Sequence, residues 1–149
     1  MVTLNSHILM LFTSVHHVYG AVIYNTPWRL HVLFLSIPVI SVTALLTYFI
    51  KKKDNLKSSL LFWLHWSIIF TGSIALIGIV EGVYNHFFKD LLFYAGVDRI
   101  TLLKLFPPPT YEMPNDLFFE LTGVLQAVVA VFLINQFVRL TFLVFKPGT

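Results

Sequence analysis

The sequence predicts an all-α integral membrane protein: a four-transmembrane-helix bundle with short interfacial helices in the connection between the third and fourth spans. Three observations predict it. Of 149 residues, 57% are hydrophobic and only 11% charged, against about 25% charged in a soluble domain. The mean hydropathy is +0.80 and 16% of residues are aromatic, the opposite of a chain that stays unfolded in water. The apolar residues also gather into four stretches near the ~20 residues that cross a hydrocarbon core as a helix. One transmembrane domain over residues 1–149 is expected, with spans at about 4–24, 28–50, 58–81 and 116–140 and an outer interfacial connection at about 82–115.

The first span is long enough but carries Asn5, His7, Thr13, Ser14, His16 and His17. The alternative is a helix lying on the surface, which would move the N-terminus to the other side. No Lys or Arg precedes Arg29, and the His pair interrupts what would be the apolar stretch of a signal peptide, so no cleaved signal is expected. Thr26-Pro27, a hydroxyl followed by proline, is a helix-start signal that makes the first two spans a tight hairpin. The second span stops at Lys51, Lys52, Lys53 and Asp54. Along the third, Ser67, Thr71, Ala75, Gly78 and Gly82 form a stripe of small side chains through which helices in lipid approach closely.

In the long connection, Phe87, Phe88, Leu91, Leu92 and Ala95 fall at helical spacing against Lys89 and Asp90, which reads as a helix lying at the membrane surface. Gly96 ends it, and Asp98 starts another through Phe106. Pro107, Pro108 and Pro109 forbid helix and make the segment to Asp116 a rigid strap over the outer mouth. Asn115 or Asp116 then caps the last span, whose small-residue stripe runs Glu120, Gly123, Ala127, Ala130 and whose helix continues to about residue 145.

Charge sets the orientation. Lys51, Lys52, Lys53, Lys57, Arg139 and Lys146 stand against Asp54 on one side, which the positive-inside rule makes cytoplasmic together with both termini. Acids outnumber bases on the other side. The formal charge of +3 is thus a topology signal, and no nucleic-acid partner is expected. With no cysteine there is no disulfide and no thiolate metal site. The sequence also carries no nucleophile elbow, phosphate-binding glycine loop or acyl-transfer triad, which removes the hydrolase and nucleotide-driven readings.

The remaining polar residues define a candidate site near the outer side. Glu81 and Glu120 reach similar depth from different helices, and His31 enters one turn into the second. Two carboxylates in a poorly solvated pocket cannot both ionise freely, so one serves as acid beside the other as base, with His31 assisting. Trp28, Asn85, Phe118 and Phe119 would form the ligand-binding wall. Alternatively His17, His31, Glu81 and Glu120 supply a zinc, manganese or iron site. Of the secondary candidates, His16 sits beside His17 in the polar half of the first span. His65 reads as a structural hydrogen-bonding group. His86 reads as an interfacial side chain, since five residues from Glu81 place it about 140° away on a continuous α-helix. Haem, pairing His16 or His17 with His65, ranks below a metal ion because their depths differ.

The expected function is an outward-opening His/carboxylate pocket that binds a metal ion, or performs acid-base chemistry on a hydrophobic, lipid-like substrate entering from the membrane lipids. The first alternative is a noncatalytic membrane subunit whose small-residue stripes pack against membrane-protein partners. The second is a small transporter built as a homo-oligomer.

Overall fold

The structure, a computed structural model, describes residues 1–52 and 60–145. Lys53, Asp54, Lys57 and Lys146, used above for orientation, lie outside the described residues. Helix α1 spans Val2–Ile23. A 3-10 segment, Pro27–Val32, runs into α2, Leu33–Ile50. Helix α3, Leu60–Ile68, continues without interruption as a π-wound stretch, Ile69–Phe88, and then as α4, Lys89–Tyr94. The short α5, Arg99–Leu105, and the long α6, Leu117–Phe145, complete the chain. Among the described residues, four helices are long and apolar enough to cross a membrane: Val2–Ile23, Pro27–Ile50, Leu60–Tyr94 and Leu117–Phe145.

The termini of these elements follow local chemistry. Asn25 takes a left-handed φ of 52°, which Asn tolerates better than most residues, and so turns α1 back into Pro27. Gly96, at φ 78°, ends α4. Asp98 caps α5 by accepting from the Thr101 N–H at 3.0 Å, and Asp116 caps α6 by accepting from the Phe119 N–H at 2.8 Å.

Helix α1 packs against all three of the other long helices, and the largest interface joins the π-wound stretch to α6. Leu9, Met10, Ile69 and Leu133 are fully buried at the centre. The polar residues of α1 are stapled to its neighbours: Ser6 to Ser73 at 2.6 Å, His7 to Thr43 at 2.9 Å, and Ser14 to Ser36 at 2.8 Å. Phe34, Val131 and Phe142 point outward, the inverse of a water-soluble bundle.

Three expectations are corrected along the third long helix. It does not stop near residue 81 but persists to Tyr94, so residues 82–94 are a continuation rather than a separate interfacial helix. Its buried face is also different. Ser67 and Thr71 are exposed, while Ile69, Ser73, Gly78, Gly82 and His86 are buried, at spacings of four and five. A backbone bonded from i to i+5 brings residues four to five apart into line, where the α-helical stripe assumed three to four. The same shift reverses the amphipathic reading of residues 87–91. Lys89 and Asp90 point inward and are buried, whereas Phe87 and Leu91 are exposed. The last span needs no such correction, since Glu120, Gly123, Ala127 and Ala130 are all buried.

Candidate metal centre

Three elements converge at the end of the bundle where α1 turns into Pro27. Helix α1 brings His16 and His17, the π-wound stretch brings Glu81 and His86, and α6 brings Glu120 and Thr122. Glu81 Oε1 is the common point: it lies 3.1 Å from His17 Nε2, 3.5 Å from His86 Nε2 and 3.9 Å from His16 Nε2. One ligand atom each of His16, His17 and Glu81 fall within 4.8 Å of one another.

The hydrogen bonds fix which nitrogen of each ring is free. Thr122 donates its hydroxyl to the backbone carbonyls of Phe118 and Phe119, at 2.8 and 3.0 Å, so it can only accept from His16 Nδ1–H at 3.0 Å. His16 Nε2 therefore carries a lone pair, on a ring that is 0% exposed and stacked on Phe119, and this nitrogen has no hydrogen-bond partner among the described residues. His86 Nδ1 donates to Glu120 Oε2 at 3.1 Å, which turns its Nε2 towards Glu81. His17 is close to Glu81 but not aligned for a hydrogen bond, and both its ring nitrogens lack a hydrogen-bond partner among the described residues. The second Glu81 oxygen accepts from Asn85 at 2.7 Å.

Glu81 and Glu120 do not form the adjoining pair of carboxylates expected from the sequence, because the His86 ring stands between them. The wider winding is the physical reason: it carries His86 onto the face of Glu81 that α-helical geometry denied it. Lys89 closes the far side, with Nζ 3.2 and 3.4 Å from the Glu120 oxygens, 2.8 Å from the Glu112 carbonyl and 3.7 Å from Asp90. Its inward position is invisible to an amphipathic reading of the sequence.

A cavity of about 480 Å³ adjoins the group, lined by His17, Glu81, Asn85 and His86 together with Trp28, Arg29 and His31. His31 is thus on the cavity but not in the three-residue group: its Nδ1 is bonded to the Trp28 carbonyl at 2.7 Å, and its ring is 6.1 Å from that of His17. Phe119 lines the cavity, whereas Phe118, about a quarter turn away on α6, is 48% exposed and packs edge-on to Tyr19 outside it. The expectation for Phe118 as a ligand wall is corrected accordingly. The strap expected after the prolines does reach the cavity through Thr110, Tyr111 and Glu112. Burial pushes the Tyr111 hydroxyl above its usual range, aided by Tyr84 and Glu81, so it meets the cavity as a neutral phenol. His65 is at the opposite end, bonded to Thr3 and Thr47 at 3.1 Å. Thirteen residues of α1 separate Thr3 from His16, roughly 20 Å of helix, so His65 cannot share a haem with the His pair.

Fold and site together define a helical chain with, among the described residues, four helices long and apolar enough to span a membrane and a His/Glu group near one end. Comparison with known protein families, with curated proteins and with solved structures finds no match for this chain.

Proposed function

We propose that His16, His17 and Glu81 hold a divalent transition metal that faces the adjoining cavity, with the His86 nitrogen at its rim. The observation that carries this reading is the lone pair on His16 Nε2, buried without a partner and aimed at a carboxylate 3.9 Å away. Two electron-rich groups held face to face in a buried site need a cation between them. The wider charge count agrees. Among the described residues, Glu81, Glu112 and Glu120 stand close to the site against Arg29 and Lys89, an acidic excess that a cation offsets.

Two imidazoles and a carboxylate suit zinc or iron; manganese fits less well and calcium or magnesium least, because those ions prefer oxygen. Glu120 behind His86, Thr122 behind His16 and Asn85 behind Glu81 are the outer partners that orient such ligands. Exposure of His17 and Glu81 to a cavity supports an open coordination position, the mark of a catalytic rather than a structural centre. A metal held by these residues would supply Lewis-acid chemistry to a group bound in the cavity. The site lies on the non-cytosolic side and both termini in the cytosol in this reading, supported by Lys51 and Lys52 at the end of α2 away from it.

Elemental analysis of the detergent-purified protein tests the proposal: about one equivalent of zinc or iron is expected in the wild type, and its loss in Glu81→Gln. Folded protein with no metal would overturn it. The Glu81–His86–Glu120 chain would then serve as an acid-base relay, favoured by the 3.1 Å His86–Glu120 bond. Copurification of that metal-free protein with a membrane partner would instead favour a noncatalytic subunit. Thr122→Val removes the acceptor that holds His16 Nδ1–H and is expected to weaken metal binding about 10- to 100-fold. Thr122→Ser restores it, and competition with a metal-responsive chelator reads both.

A further inference from the structure

We infer that the cavity takes a long-chain carboxylate, its chain between α2 and the π-wound stretch and its carboxylate on Arg29. The inference rests on the metal reading, because the cation offsets the acidic excess that an incoming anion would meet. Arg29 is 4% exposed and lines the cavity. Its Nε donates to Thr26 Oγ1 at 2.8 Å, but Nη2 has no hydrogen-bond acceptor among the described residues, Glu112 Oε1 standing 3.8 Å away. A buried donor without an acceptor is costly, and this one cannot turn away. The rings of Tyr24, Trp28 and Phe119 surround the guanidinium at 4.9 to 5.6 Å.

The rest of the cavity supplies the tail. Leu35, Leu76 and Ile77 form an apolar wall, and Leu76 at 49% and Trp28 at 43% exposure reach the outward surface. A chain can therefore enter sideways from lipid. A volume of about 480 Å³ falls within the range of small-molecule sites. One unsatisfied guanidinium nitrogen among several carboxylates suits a singly charged carboxylate better than a doubly charged phosphate.

The test is photolabelling of the detergent-purified protein by a long-chain fatty acid carrying a diazirine on its chain. Labelling concentrated on Leu35, Leu76 and Ile77 is expected, competed by unlabelled fatty acid and about tenfold less well by the alcohol of equal length. Arg29→Gln should weaken competition by the acid about tenfold and leave the alcohol unaffected. Leu76→Trp, at a half-exposed position that tolerates bulk, should reduce labelling without touching the carboxylate site. Labelling spread over Phe34, Val131 and Phe142, or unchanged by both substitutions, would overturn the inference. Metal content of the same samples separates the two claims. Metal-free protein that labels through Arg29 sustains the ligand and overturns the metal, and metal-loaded protein that labels indiscriminately does the reverse.

Discussion

Substituting His16 with Gln is expected to empty the metal centre while leaving the bundle folded. The ring is wholly buried and the Thr122 bond commits its Nε2 to the site, so its loss removes one of the three proposed ligands. Loss of an outer partner alone costs 10- to 100-fold in metal affinity, and loss of the ligand itself should exceed about 100-fold. The core at Leu9, Met10, Ile69 and Leu133 does not touch this change. Thermal unfolding reads the difference through linkage. Metal at about 100 times its dissociation constant stabilises the native state by about 2.7 kcal/mol, so added metal should raise the midpoint of the wild type and leave that of His16→Gln where it was. An equal rise in both would remove His16 from the ligand set.

Gly123→Ala should damage the fold and the site together. A Cβ at this position collides with the His86 ring, which is held between Glu81 and Glu120 and packs edge-on to His16 at 4.4 Å. The ring has nowhere to go, so the π-wound stretch and α6 must part. Overpacking of this kind costs about 1–3 kcal/mol, and the His86–Glu120 bond is displaced with it. Reduced metal retention and a lower unfolding midpoint are both expected. Gly96→Ala is the control: a Cβ there meets nothing, so only the strain of its positive φ remains, far from the metal. Equal effects of the two substitutions would show that His86 plays no part in the tight contact.

The architecture was legible because composition and span length depend on the chain alone, and α6 followed its predicted stripe because its winding is regular. The site was legible only in part. Glu81, Glu120, His17 and His31 all reach one end of the bundle, but the arrangement of the first two turned on a winding that no residue pattern announced. Reading Ile69–Phe88 with the α-helical period placed Ser67 and Thr71 on the packed face, sent His86 to the interface and turned Lys89 and Asp90 outward. Each of these corrections has the same cause. His16 and His17 posed a different limit. Adjacent residues point about 100° apart, and both can serve one centre only because Glu81 lies between their two directions, a fact of tertiary packing.

The most direct measurement is X-ray absorption fine structure at the metal edge of the detergent-purified wild-type protein. The account predicts a bound zinc or iron with two or three imidazole nitrogens and a carboxylate oxygen at about 2.0–2.2 Å. A metal surrounded by oxygen alone, or folded protein with none bound, would contradict it.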